Sequence, residues 1–370
     1  MFSLTKRLFD QGLNVAFHSL ESEAVKLEFT PTKICGNIVA EKKYDVFGVG
    51  NAIVDTLAQV EDQFITDAGL GKGGMSLMDT ENQAKVLQGL EKHDLRMASG
   101  GSAANTMVAI AQSGGTGVYF GKVAKDTNGE FYKTDIEEAG IAFPVAMAPE
   151  TGLPTGTCVV LTTPDAERTM CTHLGISTTL TKSEIDADAL AQSKCSYIEG
   201  YLWDAEQPRA ACVEAFEQSK KLGVKAAFTF SDAFLIGRFA DDFRNVVSEY
   251  CDIVFCNADE AKQFFEADSL EACTSKMAEI CDLAFITDGS NGCHVVEKGN
   301  ITLVEGFPVK AIDTVGAGDA FAGGALYGIT NGLTASQSAK WGNYFASRVV
   351  EIIGPRVDGS MKDHVSSIVG

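Results

Sequence analysis

From Tyr44 onward the chain alternates short, mostly apolar runs with helix-length amphipathic segments. The runs Asp45–Gly50, Gly117–Gly121, Cys195–Gly200, Lys225–Phe230, Asp252–Cys256 and Leu283–Thr287 have strand length, and each ends at a polar or glycine turn. Helices are predicted between them, at 105–112, 208–222 and 258–265 among others. Near-continuous apolar strands separated by helices imply an α/β fold, a mostly parallel central sheet covered by helices on both faces. Ligands in such a sheet bind at the carboxyl ends of the strands. Two stretches break the rhythm. Residues about 54–78 and 155–172 read as alternating, hairpin-like strands, with Gly156–Thr162 and Arg168–Thr172 joined by a turn at Pro164-Asp165. They predict a small β lid inserted into a single domain spanning 44–365.

Composition narrows the function. Hydrophobic residues make up 45% and charged residues 22%, which is globular, while the formal net charge is −20. A surface this negative repels phosphate backbones and anionic lipids, and no Lys/Arg run offsets it, so neither nucleic acid nor membrane is expected as a partner. The ten cysteines show no CxxC pair and no zinc spacing, and several lie in apolar runs, as buried reduced thiols would. That predicts a reducing, cytoplasmic setting. Residues 1–43 leave two readings open, an ordered arm or a weak organelle transit peptide, because Lys6 and Arg7 sit among apolar residues but acids follow at Glu21, Glu23 and Glu28.

The richest chemistry lies in Asp313-Thr-Val-Gly-Ala-Gly-Asp-Ala-Phe-Ala-Gly-Gly324. Gly316, Ala317 and Gly318 let backbone N–H groups approach an anion, and the small apolar run after them predicts a helix whose positive end faces that turn. Asp319 stands at the same turn, where a carboxylate could take the proton of an attacking hydroxyl. The lesser alternative is a glycine-rich turn with Asp319 as a helix N-cap. No Walker A loop is present, since Gly121-Lys122 is followed by Val123. Gly48-Val-Gly50 also lacks the third glycine of a dinucleotide fingerprint.

Residues 313–324 resemble the C-terminal signature of the PfkB-type, or ribokinase-like, carbohydrate kinases, and Gly100-Gly-Ser-Ala-Ala-Asn-Thr106 resembles the N-terminal one. The likeness runs from about residue 44 to 356. It implies a ribokinase-like three-layer α/β/α fold and a phosphotransferase that uses ATP and magnesium. It implies Asp319 as catalytic base and the amides of Val315 to Asp319 as the anion hole. Asp55, Gly100, Gly101 and Asn105 would hold the acceptor's hydroxyls. Asn257-Ala-Asp-Glu260 resembles the family's Asn-Pro-x-Glu motif, with Ala258 for the usual proline, and implies that Glu260 positions magnesium through water. Thr287-Asp-Gly-Ser-Asn-Gly292 resembles the nucleotide loop, implicating Thr287, Gly289 and Gly292, and Asn343 matches an adenine-side asparagine. Asp313 falls where many members hold a monovalent cation such as potassium.

Asp165-Ala-Glu-Arg-Thr-Met170 resembles a stretch of the adenosine kinase-like members and implies that Arg168 reaches the transferring phosphate. The expected acceptor is therefore adenosine, with a ribokinase- or fructokinase-type sugar as alternative. Phe64, Tyr201 and Trp203 are candidate stacking aromatics. A non-catalytic sugar- or nucleotide-binding scaffold is the rival from another class, and monomer and homodimer both stay open.

Overall fold

Six of the apolar runs emerge as strands within two residues of their predicted bounds, because each carries enough apolar side chain to be buried on both faces. The computed structural model describes residues 41–149, 152–165 and 167–370, so residues 1–40 of the N-terminal extension lie outside them. Numbered in chain order, the strands are β1 (Tyr44–Val49), β2 (Ile53–Gln59), β3 (Met75–Leu77), β4 (Arg96–Gly100), β5 (Gly117–Phe120), β6 (Ile141–Ala142) and β7 (Gly156–Thr162). They continue with β8 (Arg168–His173), β9 (Ser193–Glu199), β10 (Lys225–Thr229), β11 (Ile253–Asn257), β12 (Leu283–Thr287), β13 (Gly292–Glu297) and β14 (Asn300–Glu305).

The large sheet runs β14-β13-β12-β11-β10-β9-β1-β5-β6. It is parallel from β6 to β12, and β13 and β14 close one edge as an antiparallel hairpin. That hairpin was not anticipated, because Asn300–Glu305 alternates weakly and stays exposed on its outer side. Helices Ser102–Gln112, Ala317–Thr330 and Ala335–Val349 pack as one layer, and Glu206–Leu222, Ala233–Tyr250 and Ala258–Phe265 as another, giving the three-layer α/β/α arrangement. Phe47, Phe228, Phe255 and Phe285 fill the core between them. Trp203 belongs to that core, edge-on to Phe228 and Phe243, and does not face a ligand. Nine free cysteines occur among the described residues, eight of them buried.

The second sheet runs β3-β8-β7-β2-β4. The β7–β8 hairpin forms as predicted, with Thr157 opposite His173 and Thr162 opposite Arg168. The 54–78 stretch does not form a hairpin. The helix Asp62–Asp67 intervenes, β2 pairs with β4 and β7, and β3 pairs with β8. The two-residue period of the strands divides the faces. Val159, Leu161 and Cys171 pack with Ile65, Val86 and Leu90 under the helices, whereas Leu57, Cys158 and Val160 turn the other way toward Val315. Phe64 joins the first group beside His93, away from the cleft. Strand β4, unpredicted, leads directly into Gly100-Gly101, so the lid sheet is continuous with the loop expected to bind substrate.

Candidate active site

Carboxyl-end turns of β1, β9, β10, β11 and β12 converge on a cavity of about 570 Å³, roofed by the small sheet and floored by the 314–322 turn and helix start. The first two glycines of the N-terminal motif are dictated by contact. A Cβ at Gly100 would lie 2.1 Å from Asp55 Cγ, and one at Gly101 would lie 2.1 Å from the Asn51 carbonyl oxygen. Gly101 also has φ +101°, a backbone conformation that disfavours any side chain. These two residues therefore bring Asp55, Asn51 and the start of helix Ser102–Gln112 together at the cavity wall.

Asp319, on the first turn of helix Ala317–Thr330, points into the same space. Ser102 Oγ donates to its Oδ1 at 2.6 Å and Asn105 Nδ2 to its Oδ2 at 3.2 Å, so one carboxylate joins both motifs across more than 200 positions of chain. Burial pushes the Asp319 carboxyl up to about 6, against the Ser102 and Asn105 donors and the Arg168 and Arg356 charges, which pull it down. Burial likewise raises Asp55 to about 7, with Arg356 lowering it and Asp319 raising it. Two acids held near neutrality in one cleft suit proton transfer at physiological pH.

Gly316 opens the helix in the left-handed region, φ +70°, with Pro355 packed where a Cβ would go. Among the described residues no group accepts the N–H of Gly316, Gly318 or Asp319, and a Cβ on Gly318 would meet open space. These donors face the cavity at a helix N-terminus, an arrangement that stabilises phosphoryl charge. Val315 differs from expectation: its N–H is taken by Asp313 Oδ1 at 2.9 Å, so it is withdrawn from the anion hole. The Ala317 N–H makes a long 3.3 Å turn bond to Thr314 O. Arg168, on β8, lines the cavity with Nε 3.8 Å from Asp313 Oδ1.

Residues 77–360 match the description pfkB family carbohydrate kinase. The chain belongs to that family. Among solved structures, an adenosine kinase from Sinorhizobium meliloti matches with TM-score 0.82 and 36% identity, covering 88% of this chain and 99% of that one. A probable sugar kinase from Rhizobium etli matches with TM-score 0.82 and 34% identity over 88% and 98%. Adenosine kinase of Saccharomyces cerevisiae is 28% identical over 83% of this chain and 95% of its own length. The protein is thus a PfkB-family carbohydrate or nucleoside kinase, an enzyme class that implies ATP as phosphoryl donor.

The remaining motif residues of this PfkB chain divide into two sets. Asn257, Glu260 and Thr287 line the cavity. Asn257 caps helix Ala258–Phe265, its Oδ1 accepting from Asp259 and Glu260 N–H, while Glu260 returns both oxygens to Asn257 N and Nδ2. This reciprocal box holds the turn where a first-position proline would otherwise stiffen it. Burial raises Glu260 to about 7. No group of three His, Cys, Asp or Glu that could hold a metal occurs among the described residues. Both Glu260 oxygens are held by Asn257, so a magnesium ion at this turn would keep mostly water and phosphate ligands.

Gly289, Gly292 and Asn343 do not line the cavity. Gly292, φ +107°, lets β14 pass close, since a Cβ there would meet Val304 O at 2.2 Å. Gly289 takes φ +52° in the short turn before it. Asn343 was expected beside adenine, but its Nδ2 donates to Val304 O and Glu305 O at 2.9 and 3.1 Å and ties its helix to the end of β14. Asp313 is fully buried, with Oδ1 bound by Val315 N–H and Oδ2 by Gly354 N–H. Its partners are thus two backbone N–H groups and the Arg168 guanidinium, 3.8 Å away.

Four contributors had no role assigned from the sequence. Ser102 lies inside a quoted motif but signals nothing on its own. Glu199 ends β9 fully buried, accepting Asn51 N–H at 2.7 Å, Asn51 Nδ2 at 2.9 Å and Ala103 N–H at 2.7 Å, which clamps the β1 turn to the Ser102 helix. An acid ending an apolar run was the available signal. Asn51 and Arg356 complete the set, and Tyr201 alone of the three named aromatics lines the cavity.

The Asp319 value sets a pH expectation. A base must be deprotonated, so its raised pKa moves the loss of activity toward neutrality. We expect kcat/KM to be level above about pH 7 and to fall roughly tenfold per unit below about pH 6. A profile still level at about pH 5 would contradict it.

Proposed function

We propose that this kinase transfers the γ-phosphoryl group of ATP to the primary hydroxyl of adenosine, forming AMP. The observation that carries the reading is the apolar lid-side wall of the cavity, built by Ile53, Met75, Leu77, Val160, Met170 and Leu174. A purine buries its faces against such a wall without loss, whereas each hydroxyl of a free sugar turned toward it would cost about 1–3 kcal/mol. The relatives and solved neighbours named adenosine kinase support it. A sugar acceptor is the second reading, favoured by the polar group Asp55, Asn51 and Asn105, which suits vicinal hydroxyls on any ring.

In this reading Asp55 and Asn105 hold the acceptor's ring hydroxyls and Asp319 receives the proton of the primary hydroxyl as it attacks. The N–H groups of Gly316, Gly318 and Asp319 hold the transferring phosphoryl oxygens, and Arg168 approaches them from the lid. Magnesium, when bound with ATP, neutralises charge on the β- and γ-phosphates. The lid shields the reacting atoms from water that would divert ATP to hydrolysis.

A coupled ADP-release screen over adenosine, inosine, ribose, fructose and ketodeoxygluconate tests the choice. Adenosine is expected to give the highest kcat/KM. A sugar preferred by about tenfold or more, worth about 1.4 kcal/mol, overturns it.

A further inference from the structure

Arg356 lies in the loop after helix Ala335–Val349, and that loop is fastened to the anion turn. Asp313 Oδ2 binds Gly354 N–H at 2.9 Å, and Pro355 packs against Gly316. The side chain is only 13% exposed. Its Nε donates to Asn105 Oδ1 at 3.0 Å, and Nη1 donates to Ser99 Oγ at 3.0 Å and lies 3.4 Å from Asp135 Oδ2. Nη2 donates to the Ser99 carbonyl. One guanidinium therefore joins the end of β4, the Ser102 helix and the helix Thr127–Glu138.

Asparagine presents an acceptor at one end and a donor at the other, and either could face a neighbour. Arginine has donors only, so it takes the Asn105 oxygen and leaves Nδ2 to face Asp319. Reversed, the amide would set its oxygen against the carboxylate. We infer that Arg356 is a positioning residue for phosphoryl transfer, fixing which end of the Asn105 amide meets Asp319 and standing as a buried cation opposite both cleft carboxylates. The charged and titratable groups around it include Asp135 and Tyr132 from helix Thr127–Glu138, Tyr119 from β5, Asp55 from β2 and Asp319 from helix Ala317–Thr330. Asp319 is in turn faced by Arg168 from β8, by Tyr197 and Glu199 from β9, by Tyr201 just beyond it and by Asp55. Arg356 pulls the proton affinity of Asp55 and Asp319 down, so its removal raises both.

The inference rests on Asp319 as the base and not on adenosine, so the test uses whichever acceptor the wild type turns over fastest. Full-length Arg356→Met and Arg356→Lys are compared for kcat, both KM values and the pH profile. Arg356→Met is expected to lose about 30-fold or more in kcat, with the acid limb moved to higher pH and KM for ATP within about threefold of wild type. Arg356→Lys keeps the charge and therefore the limb, but recovers kcat only in part because an ammonium lacks the fixed fork. Should Arg356→Met fail to fold around an unpaired Asp135, the double variant Arg356→Met/Asp135→Asn removes that stranded charge and is read by the same limits. An acid limb left at its wild-type position overturns the inference, whatever the loss in kcat. If Asp319→Asn retains a tenth or more of wild-type turnover, the base assignment fails first, and the two failures are told apart.

Discussion

Replacing Asp319 with asparagine is expected to lower turnover by about a thousandfold or more, in the upper range of what a lost general base costs. The substitution keeps the shape and keeps an oxygen for the Ser102 hydroxyl, so the fold and the neighbouring N–H donors of Gly316 and Gly318 stay in place. What it removes is the lone pair that receives the acceptor's proton. ATP binding, measured by isothermal titration, should therefore change little while kcat collapses. The carboxamide NH₂ would face Asn105 Nδ2, which already donates to Oδ2, and that local repulsion adds to the loss. A variant retaining a tenth of wild-type turnover would remove Asp319 from the base role.

The second large effect is expected from Gly101→Ala. Two independent constraints meet at this residue: a φ of +101° and a Cβ position 2.1 Å from the Asn51 carbonyl oxygen. Asn51 cannot step aside, because Tyr119 Oη donates to that same oxygen at 3.0 Å and Glu199 holds Asn51 N and Nδ2 at 2.7 and 2.9 Å. The helix start must move instead, and with it Ser102 and Asn105. We expect a stability loss on the order of 2–4 kcal/mol, visible as a fall in melting temperature. KM for the acceptor should rise by about a hundredfold as Asp55, Asn105 and Asp319 lose register, a loss of roughly 3 kcal/mol in binding. Melting within about 2 °C of wild type together with an unchanged KM would show that the loop is looser than its contacts imply.

How legible these features were depended on how local their causes are. Leu283–Thr287 and Ala258–Phe265 match their predicted bounds because an apolar run or a capping pattern is written in adjacent residues. The β7–β8 hairpin was legible for the same reason, its turn residues lying between two alternating runs. The 54–78 region misled because alternation shows that a strand has two faces but not which strand it pairs with. Pairing β2 with β7 joins residues about a hundred positions apart, and only the packed lid selects that partner. Asn343 and Gly292 show the same limit. The first was read on a helix and the second in a turn, but the Asn343 amide and the backbone space at Gly292 are used by β14, whose approach no nearby residue announces.

The sequence alone determined the parallel α/β architecture, the glycine turn opening a helix and the acid beside it, because each follows from side-chain size and polarity within about a dozen positions. Tertiary structure alone decided that Ser102, Asn105 and Arg356 gather at Asp319 and that Glu199 clamps the β1 turn. Those contacts bridge up to 251 positions of chain. A buried polar group accepts whichever partner packing delivers to it, and that choice is made only when the layers close and water leaves.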